Sequence, residues 1–148
     1  MKLVRRMAVA GGVVLFSMMG AGNAFGLDPC SLLTPAQVAA ALDVPEVKAE
    51  PGPKKCTWTV TKDAGPTKTA WLSLEDEQGF DAAKVSLGRQ ETPVKGIGDA
   101  AVQNTQGQRT VLTVKKGDVY FAIRLAGLRM DQAKAAEQVL ARYVLAKF

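Results

Sequence analysis

The chain holds two cysteines, Cys30 and Cys56, and no histidine in its 148 residues. How it can fold depends on whether that pair is oxidised, and the N-terminus bears on the question. Lys2, Arg5 and Arg6 are followed by an uncharged stretch, residues 7–21, rich in Val, Leu, Phe and Met. Small residues come next, with Gly22 and Ala24, or Ala24 and Gly26, at the −3 and −1 places that a signal peptidase reads. This three-part layout predicts a secretory signal peptide over residues 1–26, cleaved after Ala24 or Gly26. A spanning helix needs about twenty predominantly apolar residues, and Gly11, Gly12, Gly20 and Gly22 dilute this stretch. A periplasmic or secreted product is expected, with no stable membrane insertion once the leader is gone. In that compartment two cysteines in a small domain pair. Closing a loop of about 26 residues contributes about 3 kcal/mol on the chain-entropy account.

Removing the leader changes the charge argument. Three of the five net positive charges sit at Lys2, Arg5 and Arg6, which leaves +2 on residues 27–148. A nucleic-acid surface needs clustered Lys and Arg. The adjacent pairs Lys54-Lys55 and Lys115-Lys116 read instead as solvated turn residues, so no nucleic-acid partner is expected.

Residues 27–148 are expected to form one α+β domain. Thr34-Pro35-Ala36-Gln37 marks a helix start, with Thr34 and Gln37 spaced as a capping box and Pro35 at the first helical position. The helix should run to about Leu42. Residues 56–61 alternate Cys56, Trp58 and Val60 against three threonines, and residues 69–75 alternate in the same way, so both read as strands. A turn around Ala64-Gly65-Pro66 joins them. Phe80, Ala83 and Leu87 carry helical spacing. The stretch 93–102, with Gly96 and Gly98 around Ile97, reads as the bent start of a strand. Strands over 110–115 and 119–125 flank a tight turn, and a final helix starts at an Asp131 cap, with Ala136, Val139, Leu140, Tyr143 and Val144 as its buried stripe. The expected architecture is an antiparallel sheet of about five strands packed with three helices.

Without histidine, no Ser-His-Asp triad, Cys-His pair or imidazole metal site can be built. No catalytic residue, metal ligand or cofactor motif is assigned. Glu75-Asp76-Glu77 reads as a solvated strand-to-helix loop with negative charge near a helix N-terminus. What is left is binding. Trp71, Tyr120 and Arg124 fall on the strand faces opposite the main apolar set, and aromatic residues with Arg are common interface anchors; the competing reading buries Trp71 and Tyr120 under a helix as a second core layer. The turn with Gly96, Gly98 and Asp99 is the other candidate.

Asp28-Pro29-Cys30-Ser31-Leu32-Leu33-Thr34, Cys56-Thr57-Trp58 and Gly96-Ile97-Gly98-Asp99-Ala100-Ala101 together resemble a pattern of small exported envelope proteins of actinobacteria and some proteobacteria, many of them lipoproteins of unknown function. That resemblance implies a fold similar to the PsbP-like α-β-α sandwich and supplies no catalytic residues. In contrast to the lipoproteins, this chain has no cysteine before Cys30. The expected function is a non-catalytic binding or accessory module of the cell envelope, its partner an envelope protein or a small ligand. Two alternatives accompany it. One is a hydrolase using two carboxylates among Glu75, Glu77, Asp81, Glu91 and Asp99. The other is a secreted enzyme inhibitor presenting residues 49–55 as a disulfide-braced loop.

Overall fold

The computed structural model describes residues 26–61, 67–85 and 90–148. The leader up to residue 25, the turn at residues 64–66 and Leu87 lie outside the described residues.

The described chain runs α1 (Pro29–Leu32), α2 (Pro35–Leu42), β1 (Val47–Gly52), β2 (Lys55–Val60), β3 (Thr69–Glu75), α3 (Glu77–Lys84), β4 (Gln90–Pro93), β5 (Ala100–Gln106), β6 (Arg109–Lys116), β7 (Val119–Ala126) and α4 (Met130–Leu145). The strands form one sheet in the order β1-β2-β3-β7-β6-β5-β4, with every pair antiparallel. The α+β class and the antiparallel sheet agree with the sequence reading, whereas the strand count is seven rather than five and the helices number four rather than three. The two extra strands are the edges. In β1, Pro51 and Gly52 look like loop residues, but an edge strand tolerates a residue without an N–H. In β4, Gln-Glu-Thr-Pro has no apolar alternation at all. The extra helix, α1, is a single turn capped by the Asp28 side chain, which accepts from the Cys30 N–H at 2.9 Å.

Local chemistry fixes the helix that follows. The Gln37 N–H donates to Thr34 Oγ1 at 3.2 Å and the Thr34 N–H donates to Gln37 Oε1 at 2.9 Å, so both halves of the capping box are present. The helix ends at Asp43 in the left-handed region (φ 53°). Lys68 Nζ donates to the carbonyls of Leu42 and Asp43 there, placing a cation on the negative end of the helix.

The helices α1, α2 and α4 cover one face of the sheet. Their main core includes Leu42, Trp58, Leu72, Leu112, Phe121, Ile123 and Leu140, each 0–1% exposed. Cys30 and Cys56 are joined, with Cα atoms 5.0 Å apart, tying α1 to a fully buried position of β2, the strand next to the β1 edge. Among the described residues no helix is long and apolar enough to cross a membrane.

Helix α4 departs from the expected stripe. It begins at Met130 after an Arg129 cap, and Asp131 lies in the first turn, paired with Arg129 at 2.7 Å. The buried positions are Ala133, Glu137, Leu140, Ala141 and Val144. Val139 and Tyr143 point out, at 44% and 43% exposure. The stripe is turned toward Glu137 because that carboxylate has hydrogen-bond donors waiting beneath it. Thr110 Oγ1 and Gln103 Nε2 each donate to it at 2.7 Å, and the Leu125 N–H donates at 3.3 Å. Gln138 Nε2 donates in turn to Gln103 Oε1 at 3.3 Å.

Candidate functional site

Among the described residues the opposite face of the sheet carries only α3, and that asymmetry creates the site. Asp76 caps α3 by accepting from the Gly79 N–H at 2.8 Å. Phe80, 3% exposed, drops onto Tyr120 with ring centroids 5.9 Å apart. At this end of the sheet the aromatic residues do form a second, smaller core layer. Beyond α3 no other described helix covers the face. Register places Trp71, Arg124, Val111 and Asn104 directly opposite one another across β3, β7, β6 and β5. Ser73, Ala122 and Thr113 form the next row toward α3. Together with Lys55, Glu75 and the inner side of α3 these rows line a groove of about 430 Å³. A smaller cavity of about 120 Å³ adjoins it, sharing Asn104, Val111 and Arg124 and adding Gln106 and Arg109.

The sequence candidates therefore part company. Trp71, half-buried, and Arg124, exposed, lie side by side in the groove. Tyr120 packs beneath Phe80, has Lys115 Nζ 5.5 Å from its ring centroid, and borders a third concavity of about 340 Å³ at the end of the sheet. Gly96, Gly98 and Asp99 are elsewhere, in the turn between β4 and β5. Both glycines have positive φ, 78° and 59°, and a Cβ on Gly98 would stand 2.5 Å from the Lys115 carbonyl oxygen. Ile97 between them is 1% exposed in the main core. Asp99 accepts from the Gly117 N–H at 2.7 Å and pairs with Lys116 at 3.3 Å. The Gly117 N–H first, and then Lys116, hold its carboxyl below the ordinary range. This turn clasps the β6–β7 hairpin, and every one of those contacts is accounted for by folding.

Most of the lining is absent from the sequence candidates for binding, including Lys55, Glu75 and Asn104 in the groove and Arg109 in the adjoining cavity. Lys55 read as a solvated turn residue and Glu75 as part of a solvated loop; Glu75 accepts a hydrogen bond from Ser73 Oγ at 2.7 Å. Arg109 carries no sequence signal, since its role depends on β5 and β6 pairing in this register. Asn104 is the most informative. It is 3% exposed, its Nδ2 donates to the Ala83 carbonyl of α3 at 2.9 Å, and its Oδ1 has no hydrogen-bond partner. The Ala83 contact settles which way the amide faces, so the oxygen is the unmatched atom. Buried polar atoms are nearly always paired, and among the described side chains only Trp58 Nε1, deep in the main core, shares this condition.

The acidic side chains are distributed as follows. Glu75 is the carboxylate that lines the large groove. Glu75 and Glu77 both border the third concavity, with Asp76 and Asp118. Asp81 pairs with Lys84 at 2.6 Å, Asp99 pairs with Lys116, and Glu91 belongs to edge strand β4. No group of three or more Asp, Glu or Cys side chains is placed to hold a metal ion among the described residues. Residues 49–55 form the β1–β2 hairpin rather than an extended loop, and the Leu74 N–H donates to the Lys54 carbonyl at 2.8 Å, which ties the tip to β3. No protein family, curated protein or solved structure matches the chain.

Proposed function

We propose that this protein is an exported, non-catalytic binding module of the bacterial cell envelope, built on a PsbP-like sandwich, and that it binds through the open part of the outer sheet face. One observation carries this reading. Among the described residues α3 is the one helix on that face, and it leaves Trp71 and Arg124 beside each other in a groove of about 430 Å³. Ligand sites are concave, with a few convergent polar groups set among apolar walls, and here Trp71, Val111 and Ala122 alternate with Arg124, Lys55 and Thr113. The disulfide supports the export half of the proposal, because such bonds persist in oxidising compartments.

The groove is tested by recording amide chemical shifts of the oxidised protein against a library of small metabolites. Perturbations should gather on β3, β7, β6 and β5 around Trp71, Arg124 and Asn104. Hits that map consistently to another surface would overturn the assignment. Export is tested by the mass of the protein recovered from its native host: loss of the first 24 or 26 residues and of two hydrogens is expected, and an intact leader with two free thiols would refute it.

A further inference from the structure

The groove's charges are arranged with a direction. Glu75 stands at the α3 end, held by Ser73, four residues along β3 from Trp71. Arg124 and Arg109 stand at the other end, where the large groove meets the smaller cavity. Among the described residues neither arginine forms an ion pair, and both are exposed on the face of the sheet. The row that holds Arg124 runs from Trp71 to Asn104 across three strand spacings, about 14 Å. Asn104, whose Oδ1 is buried and unmatched, belongs to the lining that the two cavities share.

We propose that the ligand is an elongated organic anion, with its ring or apolar part on Trp71, its carboxylate on Arg124 and Arg109, and an N–H or O–H donated to Asn104 Oδ1 directly or through one water. This rests on the groove being the binding site and adds the chemistry of what fills it. A carboxylate matches the guanidinium fork in a way that a point anion does not. Glu75 repels a second negative charge at the α3 end and so sets the ligand's direction. The donor follows from the state of Asn104, whose amide oxygen is already buried without a partner, so that a ligand group able to donate to it relieves an existing cost.

The test uses two probes that differ by one charge: N-acetyl-phenylalanyl-glycine with its free carboxylate, and the same compound as its C-terminal amide. The protein has two tryptophans, and Trp58 is fully buried in the main core, so a saturable change in emission reports on Trp71; Trp71→Phe should abolish that change. The acid should bind at least tenfold more tightly than the amide, with the difference shrinking as salt rises. Arg124→Gln combined with Arg109→Gln, both at exposed positions, should bring the acid down to the amide's affinity. Asn104→Ala should weaken both probes. Equal affinity for acid and amide, an unchanged affinity in the double arginine variant, or no binding of either probe would overturn the proposal. If neutral compounds nevertheless perturb the groove amides in the library experiment, the groove stands as a site and only the anionic assignment falls.

Discussion

Replacing Glu137 with glutamine should remove a pH dependence of stability that the wild-type protein carries between about pH 4.5 and pH 7. The Glu137 side chain is fully enclosed between α4 and the sheet. Burial raises its pKa from 4.5 to about 7, against the opposing pull of the Thr110, Gln103 and Leu125 donors. In the unfolded chain the same group ionises near 4.5. Below that pH both states are protonated and nothing is lost. As pH climbs, the unfolded state gives up its proton first, so the folded state binds more protons and stability falls with pH. The loss is complete once pH passes the folded value of about 7. At about 1.4 kcal/mol for each pH unit between the two values, it amounts to about 3 kcal/mol. Glutamine keeps an acceptor for Thr110 and the Leu125 N–H but never ionises, and its amide nitrogen calls for Gln103 to reverse its own amide. Urea unfolding of the oxidised protein from pH 4 to 8 reads the effect. For a domain with a urea slope of 1–3 kcal/mol per molar, the wild-type midpoint should drop relative to the variant by about 1–3 M across the range. Parallel midpoint curves for the two proteins would refute the reasoning, because they would mean that Glu137 titrates alike in the folded and unfolded chains.

Other perturbations follow from the contacts already described. Gly98→Ala places a methyl 2.5 Å from the Lys115 carbonyl oxygen at a φ of 59°; it should destabilise by about 1–3 kcal/mol in urea, and a variant as stable as wild type would show that the turn adjusts freely. Replacing Cys30 and Cys56 together by serine opens a loop of 26 residues and should cost about 3 kcal/mol, seen as an earlier thermal midpoint with unchanged native circular dichroism at low temperature. Asp99→Asn weakens the acceptor for the Gly117 N–H, so that amide should exchange faster with deuterium while amides in β3 keep their protection. In the wild type the same Gly117 amide should exchange faster than base-rate scaling predicts as pH falls through the lowered pKa of Asp99, since this carboxylate contributes only while ionised.

Where a structural rule is local, the sequence was readable. The Thr34–Gln37 capping box, the alternation in β2 and β3, the β6–β7 hairpin and the Cys30–Cys56 pair all depend on residues close in the chain or on compartment. The face that Trp71 and Arg124 share was legible for the same reason, since alternation within one strand assigns sides. What escaped is long-range. That Asn104 joins Trp71 and Arg124 in one row depends on the order in which β3, β7, β6 and β5 assemble, which no single strand encodes. Glu137 is hidden from an apolar-stripe reading of α4 because a carboxylate adds nothing to such a stripe. Its spacing from Ala133, Ala141 and Val144 nevertheless puts it on the buried stripe, and the polar Gln103 and Thr105 of β5 and Thr110 of β6 are the complementary sign that the core beneath is not wholly apolar.

The sheet ends on β1 at one side and β4 at the other, and neither rim invites another chain. Lys48, Glu50 and Pro51 stand exposed along β1, putting charges and a residue without an amide hydrogen where an added strand would have to zip on. On the far rim β4 is four residues long and stops at Pro93. A protein so finished at its borders can be concentrated without polymerising edge to edge, which leaves the broad sides of the sheet as its routes of contact with another molecule.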